Sequence, residues 1–412
     1  MKITITDLYC SSNRGDAAIL DGMVNSLTKC FPGAEIVVLS YFPEVAKTIN
    51  NIPSDKPLID TSNLTLTKLM SIIYLTIWAL AYKNGLKLPK FNKKKLISYY
   101  LNCDCLISVG GAFINDNYRP AILGRLFNLY FAKLLGKPVI IYAQSIGPFH
   151  THKYKTLARF VLNRVNLITL RDIESKNVLE KIGVRTPPIY VTADAAFSLP
   201  TYNLDIGKDL LKREGFDVET KKLKVSISVR KWHYYEKNNI QGHKRYIHSV
   251  AAAADYLIEN KNAEVIFAST CTDFGGYHND DRIIAHEIIK TMKNDAKILC
   301  GEYSPMQLSS IYGYMDLHIG TRMHSNILAM LYGTPLMAIQ YEFKTQGLMN
   351  FFGLNDFVLD INNITSESLI QLVEKTISKK KWIQQQIFNK LLELKQQADK
   401  NAMLVYEIFN SK

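Results

Sequence analysis

The sequence predicts an α/β protein of two doubly wound parallel-sheet domains facing a cleft, with a long C-terminal helix. Three observations carry that expectation. Apolar strand-like runs alternate with helical patterns in both halves of the chain, the arrangement that builds βαβ units and parallel sheets. A charge-rich stretch beginning near Pro200 breaks the alternation in the middle. The chain's 412 residues also exceed what one hydrophobic core usually serves.

In the first half, KITITDLY, AEIVVLSY, DCLISVG, PVIIYAQSIG, NLITLRD and PIYVTAD read as strands. Residues 17–30, 121–135, 154–164 and 175–182 carry helical spacing between them. Residues 200–222 read as a linker, which leaves 1–199 as the N-terminal domain and 223–412 as the C-terminal one. The alternation resumes with KLKVSISVR, AEVIFAST, AKILC, DLHIGTR, PLMAIQY and DFVLDI. From Trp382 to Phe409, the residues Ile383, Ile387, Leu391, Leu394, Met403 and Ile408 mark the apolar side of a long amphipathic helix.

A net charge of +13, from 50 basic and 37 acidic residues, calls for an anionic partner. Zinc-finger, RNA-binding and helix-turn-helix signatures are missing from the sequence, so nucleic acid is not the expected one. Six cysteines without zinc or redox spacing, and a start that reads as a strand, predict a reduced cytoplasmic protein without a metal. One segment complicates this picture. The uncharged apolar run 69–82 is followed by Lys83, Lys87, Lys90, Lys93, Lys94 and Lys95. Two readings stay open: a buried helix with a solvated basic loop after it, or peripheral contact of 69–95 with the anionic inner face of the cell membrane.

Polar residues gather where the strands end. After the first strand, Asn13 and Gly15 suit a turn and Asp16 suits a helix cap, in a place where backbone N–H groups could also hold an anion. ISVGGAFINDNY supplies Gly110 and Gly111, which admit close approach, and Asn115 and Asp116, which could bond a sugar hydroxyl or cap a helix. Other ends bring Gln144 and Ser145, Arg171, Asp194, and Arg230 with His233. A solitary arginine after a strand is usually a salt bridge. Arg171, Arg230 and Arg322 together, joined by His324 and Lys344, suit a small, densely anionic ligand, because guanidinium forks onto carboxylate and phosphate. In GTRMHSNILAMLYGTP, Gly320 permits the turn, Thr321 is the expected N-cap, and the helix runs to Gly333. His324 then falls in the first helical turn, and histidine is the side chain suited to exchanging a proton near neutral pH.

Taken in order, NRGDAAIL, ISVGGAFINDNY, AQSIGP, LRDIES, VTADAAF, SVRKW and IGTRMHSNILAMLYGTPLMAIQYEFKTQGLM resemble the polysaccharide pyruvyl transferases, across about residues 5–350. That resemblance implies two Rossmann-like domains in a GT-B-like fold, with the active site in the cleft. It implies transfer of pyruvate from phosphoenolpyruvate to a hexose of a capsule or exopolysaccharide, or of its lipid-linked precursor, as a cyclic ketal. Phosphoenolpyruvate would be a co-substrate, with no cofactor and no metal. By the same resemblance His324 does acid/base work, Arg322 binds the donor, and Lys344 contacts its phosphate, these three forming the catalytic set. Arg171 matches a donor-binding arginine, and Arg230, a looser match, is expected at the phosphate. Asp16, Asn115 and Asp116 are expected on the acceptor side. Many members carry three glycines where this chain has Gly110-Gly111-Ala112, a difference that could narrow the loop. Two other readings share these residues. One is a GT-B glycosyltransferase using a nucleotide sugar, with Glu302 as its weak candidate for gripping the donor. The other is a non-catalytic component of a polysaccharide assembly complex.

Overall fold

The computed structural model describes residues 1–86, 94–117, 119–235 and 239–410. They divide into two units, one of residues 1–11, 16–199 and 394–412, the other of 12–15 and 200–393. Lys87, Lys90 and Lys93 of the basic stretch lie outside the described residues.

The first unit is built on eight strands: β1 (Lys2–Leu8), β2 (Glu35–Ser40), β3 (Ser54–Asp55), β4 (Cys105–Ser108), β5 (Gly111–Ile114), β6 (Val139–Ile146), β7 (Leu167–Leu170) and β8 (Ile189–Val191). Their order is β3-β2-β1-β4-β6-β7-β8, with β5 paired to β6, and every pairing is parallel. Sheets of this kind are covered on both faces, so their strands read as continuous apolar runs. Accordingly, all of β4 and all of β6 are buried. Strand β5 was hidden in sequence by the glycine pair Gly110-Gly111 at its start, since glycine lowers strand propensity.

The helix Leu66–Lys83 settles half of the question its sequence raised. Leu75, Trp78 and Ala79 enter the core of this unit, where Trp78 stacks on Phe131 at 6.4 Å between ring centroids. Ile72 packs partly buried against the same core. The opposite side of the helix is apolar and exposed.

In the second unit the strands are β9 (Leu223–Ser228), β10 (Ala263–Phe267), β11 (Lys297–Ile298), β12 (Leu317–Gly320), β13 (Leu336–Gln340) and β14 (Val358–Asp360). They lie in the order β11-β10-β9-β12-β13-β14, again parallel. Two expectations change here. The stretch 200–222 is not a bare linker: Leu204–Arg213 is a helix, capped by Asn203 and burying Gly207, Leu210 and Leu211. Its charged outward residues mask those three inward positions in the sequence. The long helix, Lys380–Asn410, does not stay with the C-terminal domain either, because residues from Leu394 onward group with the first unit. Its buried stripe runs through Ile383, Ile387, Leu391, Leu394, Ala398, Ala402 and Val405, whereas Met403 is exposed.

Both sheets have a topological switch point, where the strand order reverses. It falls between β1 and β4 in the first unit and between β9 and β12 in the second. Such points open a crevice outside the strand carboxyl ends, where α/β proteins bind ligands.

Candidate functional site

Arg230 and Arg322 follow the two strands that flank the second switch point, β9 and β12. The loops carrying them are tied together. The Thr321 amide donates to the Ser228 carbonyl at 2.9 Å, the Tyr246 hydroxyl and Thr321 Oγ1 lie 2.9 Å apart, and the Arg230 amide reaches the same tyrosine at 3.4 Å. Arg322 itself is the N-cap residue of the helix Met323–Met330, one position later than the expected Thr321. Thr321 is instead drawn to Tyr246 and the neighbouring strand.

The Arg322 guanidinium is buried and forks onto Asp281, donating from Nε to Oδ2 at 3.0 Å and from Nη2 to Oδ1 at 2.6 Å. Burial raises the Asp281 carboxyl above its ordinary range, against the opposing pull of Arg322 and Arg230. One carboxylate thus faces two guanidiniums, leaving a net positive corner. Arg230 lies over a pair of aromatic rings, its Cζ 4.1 Å from the Tyr341 centroid and 5.4 Å from that of Trp232. Stacking fixes the guanidinium plane while leaving its N–H edges for other partners. Its Nε is buried without a hydrogen bond among the described residues, and an unfilled buried donor is costly.

His324 is the second residue of the Met323–Met330 helix. Its ring packs on the backbone of Gly15, which belongs to the same unit. A Cβ added to Gly15 would come within 2.5 Å of His324 Nδ1 and 2.7 Å of its Cγ, so only glycine leaves the imidazole where it is. The Gly15 amide donates to Asn13 Oδ1 at 3.0 Å, and the helix begins at Arg14. Asn13 therefore does the turn work, and Asp16 sits inside the first turn rather than capping it.

Behind these groups lies a second histidine that the sequence reading passed over. His318 is fully buried in β12, with Ser226 Oγ 2.8 Å from Nδ1 and Ser325 Oγ 3.0 Å from Nε2. Burial drives its pKa down to about 3, so the ring is neutral. Ser325 Oγ in turn donates to the Arg322 carbonyl at 2.7 Å. The chain from β9 through His318 to that carbonyl holds the arginine's turn in place. Lys344 lies four residues beyond β13, in the first turn of the helix Phe343–Phe351 rather than at the strand end. Glu302, the residue weighed for a nucleotide sugar, is taken up by Arg14, by Arg282 at 3.1 Å and by the Thr272 hydroxyl at 2.6 Å.

The remaining predicted residues fall in the first unit. Arg171, directly after β7, donates from Nη1 to Asp194 at 2.5 Å and from Nε to Ser145 Oγ at 2.8 Å. Asn115 turns inward, its Nδ2 donating to the Ala112 carbonyl at 2.8 Å and its Oδ1 accepting the Asn117 amide at 3.0 Å. Asp116 accepts the His150 amide at 2.9 Å, the Thr151 amide at 2.8 Å and the Thr151 hydroxyl at 2.9 Å. Burial alone would raise its carboxyl, but those donors hold it below the usual range. Of the pair expected to face a sugar, Asp116 staples the loops after β5 and β6, and Asn115 braces its own turn.

The first switch point has its own polar cluster, of which only Gln144 stood out in the sequence. Asp7, near the end of β1, accepts the Ser108 hydroxyl at 2.5 Å, and Gln144 Nε2 donates to Ser108 Oγ at 2.6 Å. Arg125 donates to the Phe113 carbonyl at 2.6 Å, with its Cζ 5.8 Å from the centre of the Tyr41 ring. Asp7 Oδ1 and Gln144 Oε1 are buried without a hydrogen bond among the described residues. The signal was available: a lone acid inside an apolar strand run.

Burial pushes the Asp7 carboxyl from an ordinary value of 3.8 up to about 6, against Ser108 and Arg125. Between those values the folded chain holds more proton than the unfolded one, so this group's contribution falls as pH rises. Asp7→Asn should therefore gain about 2 kcal/mol relative to the native chain between pH 4 and pH 7.5 in urea unfolding. Parallel pH profiles for the two proteins would count against the assignment.

Two parallel-sheet α/β units, with two arginines and a helix-start histidine at one switch point, define a protein of GT-B-like fold. Among solved structures, the fold is shared with a putative UDP-N-acetylglucosamine 2-epimerase from Listeria monocytogenes (11% identity, TM-score 0.63, covering 100% of this chain and 97% of that one). It is shared also with Anabaena Alr3699/HepE, solved with UDP-glucose (15% identity, TM-score 0.57, covering 100% of each chain). Those likenesses concern fold alone. At the level of sequence, residues 13–342 match the polysaccharide pyruvyl transferase profile, and the amylovoran biosynthesis protein AmsJ of Erwinia amylovora is 30% identical over 402 residues, 94% of each chain. The chain belongs to the polysaccharide pyruvyl transferase family.

Proposed function

We propose that this protein transfers the pyruvyl group of phosphoenolpyruvate to a hexose of a surface polysaccharide or its precursor, closing a cyclic ketal on two hydroxyls. The observation that carries the reading is the corner at the second switch point, where Arg322 forks onto Asp281, Arg230 acts electrostatically on the same carboxylate, and Arg230 Nε is a buried donor without a partner among the described residues. Phosphoenolpyruvate concentrates a carboxylate and a phosphate on three carbons, which suits such a corner.

In this reading His324 delivers a proton to the methylene carbon, which becomes the methyl group, and positive charge develops at the central carbon. An acceptor hydroxyl attacks there and gives up its proton to His324. The C–O bond to phosphate breaks, and a second hydroxyl closes the ring, its proton leaving with the phosphate. Arg230, Arg322 and Lys344 offset the charge on the departing phosphate. Asp16 stays a proposed acceptor contact, while Asn115 and Asp116 shape the loop after β5. Arg171, held by Asp194 and Ser145, is proposed as a donor contact through its remaining N–H groups.

The nucleotide-sugar reading has less support, since Glu302 already serves three partners. Mass spectrometry of candidate glycans after incubation with phosphoenolpyruvate tests the proposal, ketal formation adding one pyruvic acid less one water. Protein stabilised by UDP-sugars and indifferent to phosphoenolpyruvate would overturn it. Within this reading, Lys344→Ala should raise the KM for phosphoenolpyruvate by the equivalent of about 1.5–3 kcal/mol while sparing the acceptor KM. An unchanged donor KM would remove Lys344 from the phosphate site.

A further inference from the structure

We propose that the outward face of the helix Leu66–Lys83 is a docking surface for an anionic lipid membrane. The observation is a ridge. Leu66, Met70, Ile73, Ile77 and Leu80 are 72%, 61%, 60%, 55% and 46% exposed, and they recur at spacings of four, three, four and three residues. That spacing lines one side of the helix from Leu66 to Leu80, about 21 Å at 1.5 Å per residue. Scattered exposed leucines need no explanation, but a continuous apolar ridge does. The core claims the other side of this helix, through Leu75, Trp78 and Ala79. Propensity for helix would have been met as well by polar residues on the outer side, so the ridge is not a by-product of folding.

Charge selects the occupant. From residue 61 to residue 103 the chain contains no aspartate or glutamate. Lys68 and Lys83 lie on the ridge helix itself, and Lys94 and Lys95 open the helix Lys94–Asn102. Lys95 is partly neutralised by Asp55 at 2.7 Å, which leaves Lys68, Lys83 and Lys94 as the cations of this stretch among the described residues. A second copy of the chain laid ridge to ridge would bring these lysines against each other. Anionic headgroups answer both features at once, with the apolar side chains entering the acyl boundary and the lysines meeting phosphates. Among the described residues no helix is long and apolar enough to cross a membrane, so the helix lies along the surface.

Co-sedimentation with phosphatidylcholine vesicles, with or without phosphatidylglycerol, tests the inference without any substrate. The native chain should pellet with the anionic vesicles and stay in the supernatant with the neutral ones. Met70→Gln/Ile73→Gln/Ile77→Gln should weaken partitioning by at least about tenfold. Lys83→Gln and Lys94→Gln should each weaken it about fivefold. All of these positions face outward, so thermal melts should match the native chain. Failure of the native chain to bind, or equal binding by the triple variant, overturns the proposal. So does a dimer in sedimentation velocity that the triple variant dissolves, since the ridge would then belong to a second copy. Turnover of a water-soluble acceptor by the triple variant should be unchanged, which keeps this result separate from the pyruvyl transfer reading.

Discussion

Alanine in place of His324 should leave a folded protein that no longer releases phosphate from phosphoenolpyruvate in the presence of acceptor. Removing a general acid–base group typically costs about 10²–10⁴-fold in kcat, and here the same imidazole serves both the methylene carbon and the attacking hydroxyl. Donor binding should survive, because Arg230, Arg322 and Lys344 are untouched. The companion change is Gly15→Ala. Its new methyl carbon would fall within 2.5 Å of His324 Nδ1, pushing aside a ring that is chemically intact. A misplacement of that size should lower kcat by roughly 10²-fold, with little change in the donor KM. Phosphate release measured at saturating phosphoenolpyruvate would read both effects. Full turnover by His324→Ala would take this histidine out of the chemistry altogether.

Asp281→Ala should destabilise the protein by about 3–5 kcal/mol, the usual cost of stranding one partner of a buried ion pair. The carboxylate satisfies both edges of the Arg322 fork and also accepts the Cys271 amide at 3.1 Å. Its loss leaves the buried Arg322 guanidinium without its counter-charge. Arg322→Ala should destabilise comparably, by stranding Asp281, and should abolish donor binding as well. The double variant should lose clearly less than the sum of the two, since neither charge is then left alone. Urea unfolding of the four proteins closes the cycle. Losses below about 1 kcal/mol for both single variants would mean that water, not the ion pair, satisfies these groups.

Much of the site was legible before any coordinates. Arg230, Arg322 and His324 stood out because charged and titratable side chains had replaced apolar ones where strands give way to helices. What did not show was their company. Asp281 drew no notice in the sequence, because nothing local ties it to an arginine 41 positions away. His318 read as one more residue of an apolar strand, because a neutral histidine fully enclosed by two serines carries no pattern of its own. Asp116 looked like a sugar ligand for the opposite reason. Its residue type was right, but the backbone amides of His150 and Thr151, which fill it, are invisible in a string of letters.

The sequence by itself determined the α/β class, the alternation of strands and helices, and the sites where polar residues meet strand ends. Those properties follow from the spacing of apolar positions and from turn chemistry, both local. The tertiary structure alone decided which charges pair, which helix face is buried, and where the tail belongs. Leu66–Lys83 is apolar almost all round, so only its packing against Phe131 and its neighbours could separate the core side from the ridge. The stretch 200–222 hid a helix, and the last 19 residues grouped with the first unit rather than the second. Each of these outcomes depends on contacts between residues distant in sequence, whose energies no local pattern encodes.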